Sequence, residues 1–261
     1  MSTVADVLAH RNESSSGALI GYLPAGYPTL ETSIEAAVAL AENGVDVIEL
    51  GLPYSDPVMD GIVIQKATQT ALAGGFRLQD GFEAVAAITA RVEVPVLMMT
   101  YWNPVLQFGV ERFADELLAA GGAGLITPDL IADEAALWLA ASDRTELERV
   151  FLAAPSSTDV RLEQASKRSR GFVYAVSTMG ITGARGGVDS AARALVKRLR
   201  EVGSTRACVG LGISTADQVR EVLEYADGAI VGSALVSALT EGGVSAVGRT
   251  AAALSAGTRL A

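Results

Sequence analysis

The sequence has 261 residues, of which 50% are hydrophobic and 19% are charged, so the chain can bury a large core and is not intrinsically disordered. Its 20 basic and 30 acidic residues give a formal net charge of −10, which argues against nucleic acid and anionic membrane as partners, because phosphate groups bind clustered lysine and arginine. A single cysteine, Cys208, excludes an intrachain disulfide, and with the single histidine, His10, it cannot complete a Cys/His zinc site.

Histidine catalysis is equally restricted. A Ser-His-Asp triad would have to use His10, which lies in an N-terminal stretch without a surrounding motif. Acid–base catalysis is therefore expected from carboxylates, tyrosine or lysine. The N-terminal residues show no secretory signal, and no run of 18 or more apolar residues suggests a membrane span, so we expect a cytoplasmic protein.

Eight short apolar segments are predicted to be β-strands. Most of them are apolar on both faces and do not alternate with polar residues, which is typical of parallel strands covered on both sides. They are Ala18–Leu23, Val45–Leu50, Val96–Thr100, Gly124–Thr127, Val150–Ala153, Phe172–Val176, Ala207–Leu211 and Ala229–Val231.

Amphipathic segments between these strands are predicted to be helices. Leu30–Gly44 places apolar residues on one face and glutamates on another, and it ends at Asn43-Gly44, a typical helix C-cap. Ser214–Asp217 is predicted to be a capping box that opens a helix containing Val219 and Leu223. Further helices are predicted over Val63–Ala73, Asp80–Arg91, Val110–Ala120, Asp133–Ala141, Val160–Lys167, Ala191–Val202 and Val244–Ala256.

Strand and helix alternate along the whole chain, in about eight units. This pattern predicts an α/β fold, a (β/α)8 TIM barrel, with a doubly wound open sheet as the alternative. No linker or change in composition divides the chain, so residues 1–261 are predicted to form a single barrel domain. Such a barrel places its functional residues at the carboxyl ends of its strands, so polar residues there are the candidates.

The second predicted strand carries a glutamate near its carboxyl end. Alternation along the strand puts Glu49 on the face opposite Ile48 and Leu50, so if those two pack against helices, Glu49 points into the barrel. A carboxyl group there is partly desolvated, which raises its pKa and suits it to proton transfer. The alternative is a structural glutamate paired with a lysine or arginine.

A long loop rich in turn residues, Gly51–Gly61, follows this strand. Unusual length in a strand-to-helix loop indicates function. Within the loop, Asp60 is a candidate for a second catalytic carboxylate. The alternative is that Asp60 is the N-cap of the helix that follows.

Glycines follow the sixth, seventh and eighth predicted strands, in Gly180–Gly187, Gly210–Ser214 and Gly232-Ser233. Glycine lets the backbone approach an anion, and the helix that follows offers free N–H groups. Barrels of this class often hold a phosphate group after their seventh and eighth strands. The three clusters together predict a phosphate site that needs few lysines.

Three tyrosines could line the same mouth. Tyr22 lies on the first predicted strand, Tyr101 at the end of the third and Tyr174 on the sixth. For Tyr22 and Tyr174 a place in the core is an equally good interpretation. Tyr101 opens an aromatic turn, Tyr101–Pro104, which weakly favours a flat apolar ligand.

In combination, these motifs resemble those of the tryptophan synthase α subunit family. The similarity extends from residue 17 to 250, and its most specific part is Glu49–Gly61, with the pattern ELGxPxSDPxxDG. The other matching segments are Pro24–Pro28, Ile64-Gln65, Thr100–Pro104, Thr182–Ala184, Gly210–Ser214 and Gly232-Ser233.

The resemblance implies a (β/α)8 barrel that cleaves indole-3-glycerol phosphate to indole and glyceraldehyde 3-phosphate. This retro-aldol lyase reaction needs neither a metal nor a cofactor in this chain. The resemblance makes Glu49 the general acid/base, which protonates indole C3 and then accepts the proton of the glycerol hydroxyl. It makes Asp60 the group that stabilises the positive charge developing on the indole N–H, or accepts its proton.

The resemblance also implies binding residues and a partner. Tyr22, Tyr174 and Thr182 match positions that line the pocket or close over it, where we also place Tyr101. The family's α subunit pairs with a β subunit that contains pyridoxal phosphate, in an αββα heterotetramer, and indole passes to β through a tunnel. The cofactor is thus expected in the partner. The phosphate-holding positions are matched by Gly183, Gly212, Gly232 and Ser233.

Two loops match the mobile loops that close the family's site and signal to β: Pro53–Asp60, with Asp56 and Pro57, and Ser177–Gly187. Bulky departures from the family pattern lie in or beside these loops or on the first strand, and we expect them to affect loop closure and partner coupling. Two alternatives remain, a non-catalytic barrel that activates a β-type partner and another phosphosugar enzyme such as an isomerase or epimerase. The departures are Met59, Ile62, Tyr54, Tyr22 and Met179.

Overall fold

Eight parallel strands close into a barrel in chain order, in a computed structural model that describes residues 2–14, 16–176, 187–210 and 212–259. The strands are β1 (Ala18–Pro24), β2 (Val47–Gly51), β3 (Val96–Met99), β4 (Gly124–Thr127), β5 (Glu148–Ala153), β6 (Val173–Val176), β7 (Ala207–Gly210) and β8 (Gly228–Val231). The barrel closes where β8 pairs with β1, with Gly228 opposite Ala18. The predicted (β/α)8 barrel is therefore confirmed, and the open-sheet alternative is wrong.

Helices surround this barrel, most of them at positions that the amphipathic segments predict. They are α1 (Val4–Glu13), α2 (Leu30–Glu42), α3 (Ile62–Ala73), α4 (Leu78–Thr89), α5 (Trp102–Phe108), α6 (Val110–Ala119), α7 (Ala136–Thr145), α8 (Asp159–Arg168), α9 (Gly187–Glu201), α10 (Ala216–Leu223) and α11 (Ser233–Ser255). Local signals set several of their ends. The Thr29 side chain caps α2 by accepting the Thr32 N–H, and α2 ends at Asn43 as predicted. Among the described residues, no helix is both long and apolar enough to cross a membrane.

Alternation along the strands divides the apolar core into two parts. Inside the barrel, side chains from successive strands pack on one another, among them Ile20, Val47 and Leu97. Ile48 and Leu50 belong instead to the larger core between the strands and the helices. This division puts Glu49 inside the barrel, because it shares a face of β2 with Val47.

The N-terminal helix α1, which the sequence analysis did not predict, closes the bottom of the barrel. Its Val4 and Leu8 are fully buried in the interior core. The carboxylate of Glu148, at the start of β5, accepts the Val4 N–H at 2.8 Å and the Ala5 N–H at 3.0 Å, so it satisfies two donors of the first helical turn. His10 lies exposed on this helix, at the end of the barrel opposite the carboxyl ends of the strands.

Several predicted helix boundaries are wrong. The Tyr101–Pro104 segment is the start of α5 rather than a turn, because Tyr101 is an extended N-cap and Pro104 falls in the first turn, where its missing N–H costs no bond. The segment Asp133–Ala141 is a 3-10 helix over Ala132–Glu134 followed by α7. The predicted Val244–Ala256 is only the second half of α11, which begins at Ser233 and breaks at Gly243, where φ is 64° and ψ is −163°.

The capping box of α10 also differs from the prediction. It joins Thr215 and Gln218 rather than Ser214 and Asp217. The Gln218 carbonyl reaches back to the Thr215 N–H at 3.2 Å, whereas Asp217 forms an ion pair with Arg220 at 2.7 Å. The longer side chain thus reaches the N-cap, and the shorter one pairs along the helix surface.

Candidate active site

Glu49 enters the barrel from β2, between Tyr22 of β1 and Leu97 of β3 in the strand register. The residue is 1% exposed, and its Oε1 has no hydrogen-bond partner among the described residues. Burial raises the pKa of Glu49 from 4.5 to about 8. No lysine or arginine in the described part of the chain contributes to this pKa. For those residues, the alternative of a glutamate paired with lysine or arginine is therefore wrong.

Asp60 lies at the end of the loop that joins β2 to α3. The N-cap of α3 is Gly61, which offers no side chain, so the N-cap alternative for Asp60 is wrong. Burial raises the pKa of Asp60 to about 6, and the nearby Tyr101 hydroxyl partly opposes that rise. The Asp60 carbonyl accepts a hydrogen bond from Gln65 Nε2 at 2.7 Å, which ties the end of the loop to the first turns of α3.

The two carboxylates act on the same group of tyrosines. The pKa of Tyr22 is raised far above its usual value, first by burial and then by the charges of Asp60 and Glu49. The pKa of Tyr174 is raised by burial and by the same two carboxylates, Glu49 before Asp60. Tyr22 and Asp60 also line a small cavity at the mouth of the barrel, together with Tyr101, Gly51, Leu52, Met99, Thr100 and Pro128. Glu49 itself is not among the residues that line this cavity.

Two glycines of the strands make room for the tips of these tyrosines. A Cβ atom placed on Gly51 would lie 2.3 Å from the Tyr22 hydroxyl oxygen. A Cβ atom on Gly210 would lie 2.5 Å from the Tyr174 hydroxyl oxygen. Both phenols therefore extend toward the carboxyl ends of their neighbouring strands, beside the carboxylates.

A network that the sequence analysis missed holds the loop between β2 and α3. The rings of Tyr54 and Tyr101 stack with their centroids 5.1 Å apart. The Tyr101 hydroxyl accepts the Met59 N–H at 2.9 Å, and the Tyr54 hydroxyl accepts from Asn103 Nδ2 at 3.2 Å. Asp129 accepts the Trp102 N–H at 2.8 Å and so fixes the start of α5. These partners are far apart in sequence, so no local pattern indicates them.

The outer surface of the same loop is partly apolar. Pro53 is buried, Asp56 is exposed, and Pro57 is intermediate. Beside them, Val58 is 81% exposed and Ile62 is 71% exposed. Large apolar side chains with this exposure, close to one another in sequence, are typical of a contact surface.

The glycines after β7 and β8 leave backbone groups open at the mouth of the barrel. Gly212 is exposed and has a φ of +64°, which favours glycine, and a Cβ there would meet nothing within 4 Å. Gly232 is the N-cap of α11 without a side-chain cap, so the first N–H groups of this helix, from Ser233 onward, are available to an anion. The predicted residues Thr182 and Gly183 lie outside the described residues, as does Met179. No cluster of metal-ligating side chains occurs within the described ranges.

Comparison with known proteins agrees with this geometry. The family described as "Tryptophan synthase alpha chain" matches residues 8–256. A tryptophan synthase alpha chain from Leifsonia xyli is 73% identical over 98% of both chains, and one from Mycobacterium avium is 56% identical over 95% of this chain and 91% of its own. A structure of Mycobacterium tuberculosis tryptophan synthase superposes with a TM-score of 0.94 at 52% identity, covering 100% of this chain and 99% of its own. The chain therefore belongs to the tryptophan synthase alpha chain family.

Proposed function

We propose that Glu49 and Asp60 are the two groups with which this tryptophan synthase alpha chain cleaves indole-3-glycerol phosphate to indole and glyceraldehyde 3-phosphate. The observation that carries the proposal is that Tyr22 is the strand partner of Glu49 and lines one cavity with Asp60, while the pKa values of the two carboxyl groups differ, about 8 for Glu49 and about 6 for Asp60. Between these values, Glu49 holds a proton while Asp60 is ionised. An acid and an anion in one site are what this lyase reaction requires.

The reaction uses the two groups in sequence. Glu49 donates its proton to indole C3, and the positive charge that develops on the indole nitrogen is stabilised by the Asp60 carboxylate, or its proton is accepted there. The ionised Glu49 then takes the proton of the glycerol hydroxyl. The C–C bond breaks, its electron pair returns to the indole ring, and the oxygen becomes the aldehyde of glyceraldehyde 3-phosphate.

The rest of the site binds the substrate. We assign the phosphate group to Gly183, Gly212, Gly232 and Ser233, supported by the left-handed backbone of Gly212 and the uncapped N-terminus of α11. The substrate pocket is assigned to Tyr22, Tyr101, Tyr174 and Thr182. The described members of this set have their rings or hydroxyls at the mouth of the barrel.

A β subunit is the proposed partner, in an αββα heterotetramer that acts in the cytoplasm. Pyridoxal phosphate would belong to that subunit, and indole would pass to it. Pro53, Asp56 and Pro57 are assigned to the contact, because the exposed apolar side chains of Val58 and Ile62 adjoin them. A 33% identical Pyrococcus furiosus structure, which covers 92% of this chain and 98% of its own with a TM-score of 0.83, is described as a tryptophan synthase complex. Residues 1–261 are proposed to act as one barrel domain.

The test is release of indole from indole-3-glycerol phosphate, measured with and without a β subunit. Glu49→Gln and Asp60→Asn should each lose most of the activity. The matched control is Glu35→Gln, which also exchanges a carboxylate for an amide but lies exposed on α2 in an ion pair with Arg91. Activity that survives both site substitutions would refute the mechanism. Stimulation of β by a wild-type chain that releases no indole would instead favour the non-catalytic alternative.

A further inference from the structure

The Tyr22 side chain lies along the mouth of the barrel between β8 and β2, the two strands that pair with β1. Its base is beside Gly232, where a Cβ atom would lie 3.6 Å from the Tyr22 Cβ and 3.4 Å from its Cδ1. Its tip is beside Gly51, where a Cβ atom would lie 2.3 Å from the hydroxyl oxygen. The phenol therefore extends from the proposed phosphate site toward Glu49, its register partner on β2.

The hydroxyl at the tip of this phenol is a buried polar group without a protein partner. Tyr22 is 6% exposed, and it lines the same small cavity as Asp60. Within the described ranges, no group forms a hydrogen bond with this hydroxyl. Buried polar groups in proteins are nearly always paired, so an unpaired hydroxyl in a cavity indicates a site for a polar group of a ligand.

The substrate of the proposed reaction carries polar groups in the matching order. In indole-3-glycerol phosphate, the glycerol chain joins the phosphate group to indole C3 and carries the hydroxyl groups of the molecule. With the phosphate group at Gly232 and indole C3 at Glu49, the glycerol chain has to follow the line between these two residues. Tyr22 lies along that line, so its hydroxyl is placed beside the glycerol hydroxyls.

We propose that Tyr22 is a specificity-determining residue, whose hydroxyl forms a hydrogen bond with a hydroxyl group of the substrate's glycerol chain. This inference rests on the proposed function, which supplies the substrate and the position of its phosphate group. Two hydroxyl groups can pair in either direction, since each of them donates and accepts. Burial raises the pKa of Tyr22 well above its usual value, so the phenol keeps its proton and remains a donor.

The hydrogen bond distinguishes the substrate from the product indole. When the C–C bond breaks, the oxygens of the glycerol chain leave with glyceraldehyde 3-phosphate. Indole has no hydroxyl group, so indole alone leaves the phenol unpaired. A site that pairs a hydroxyl of its ligand discriminates against molecules that lack this group, because the buried partner then stays unsatisfied.

The experiment compares the unmodified protein with Tyr22→Phe, which removes the hydroxyl and keeps the ring. Tyr27→Phe is the matched control, because its hydroxyl bonds Thr240 at 2.9 Å, outside the site. For each protein, kcat and KM for indole release are measured with indole-3-glycerol phosphate. The dissociation constant of indole-3-propanol phosphate, which keeps the indole ring and the phosphate group but lacks the glycerol hydroxyls, is measured by calorimetry. Urea denaturation verifies that each variant is folded.

Tyr22→Phe should raise the KM for indole-3-glycerol phosphate by about three- to tenfold, as expected for the loss of one neutral hydrogen bond, and leave kcat within about twofold. The dissociation constant of indole-3-propanol phosphate should change by less than about twofold, because this analogue has no hydroxyl group that could lose a partner. Tyr27→Phe should leave all three quantities unchanged.

An unchanged KM in Tyr22→Phe would overturn the inference. Equal weakening of substrate and analogue would do the same, because it would show that the ring packs against the ligand and that the hydroxyl recognises nothing. So would a fall in kcat at unchanged KM, which would place the hydroxyl in the chemical steps. Full activity of Glu49→Gln and Asp60→Asn would instead refute the proposed mechanism, and the comparison of KM values between Tyr22→Phe and the unmodified protein would still stand.

Discussion

Tyr22 and Glu49 face each other across the first two strands of the barrel, as register partners on β1 and β2. The phenol leans toward Gly51, two residues beyond Glu49 on the same face of β2, and so lies between the carboxyl group and the mouth. Glu49 is consequently almost fully buried, without a described counter-charge. This arrangement makes Glu49 a neutral acid at pH 7, because its pKa is raised to about 8.

The buried carboxyl of Glu49 makes the stability of the protein depend on pH. Its pKa is 4.5 when exposed and about 8 in the folded chain. The contribution of the protonated form to the free energy of unfolding is therefore complete below pH 4.5 and is lost as pH rises from 4.5 through 8. Glu49→Gln should therefore stabilise the fold more at pH 9 than at pH 5, by about 4 kcal/mol. Urea denaturation at both pH values measures the difference, and Glu35→Gln is the exposed control. A stabilisation independent of pH would show that Glu49 is not buried as an acid.

The position of the Tyr22 hydroxyl requires a residue without a side chain at Gly51. A methyl group at Gly51 would lie 2.3 Å from the Tyr22 hydroxyl oxygen and 2.5 Å from a ring carbon, so both groups must move. Gly51→Ala should lower the free energy of unfolding by about 1–3 kcal/mol and reduce kcat/KM. Gly61→Ala is the matched control for stability, because a Cβ there meets nothing within 4 Å and its φ of −72° suits any residue. Equal stabilities of the two variants would contradict this packing.

Gly212 is predicted to bind phosphate through its backbone conformation. Its φ is +64° and the space around it is open, so Gly212→Ala meets no neighbour but must strain or reorient the loop. We expect a loss of stability of about 1 kcal/mol and a raised KM for indole-3-glycerol phosphate. Gly203→Ala shares the positive φ, +91°, and the open surroundings but lies at the other end of β7. It should lose similar stability and keep its KM. A raised KM in both variants would point to general destabilisation.

The eight strands could be predicted because each is a short apolar run covered on both sides. The inward direction of Glu49 could be predicted for the same reason, since its neighbours Ile48 and Leu50 belong to the outer core. Helix α1 was not predicted, because only Val4 and Leu8 are fully buried in it, although Thr3 and Asp6 form a local capping box at its start. Its first turn also donates to Glu148, more than 140 residues away. Tertiary contacts of this kind leave no local pattern.

In the candidate site too, local sequence predicts some features, and others depend on tertiary contacts. Local sequence predicts which residues reach the mouth of the barrel, and it left Asp60 open between a catalytic group and an N-cap. The structure overturns the N-cap alternative, because Gly61 occupies the N-cap position. Asp60 shares its cavity with Tyr101, which is about 40 residues further along the chain and stacks against Tyr54. No spacing rule connects these residues.

The pH dependence of kcat/KM for indole release tests the central claim most directly, because it reports the ionisation of the free enzyme. A protonated Glu49 and an ionised Asp60 predict a bell-shaped profile with limbs near pH 6 and pH 8, the values of their pKa. Asp60→Asn should abolish the acidic limb in whatever activity remains. A profile that rises through pH 8, or one that stays flat from pH 5 to 9, would contradict the assignment of Glu49 as the acid and Asp60 as the anion.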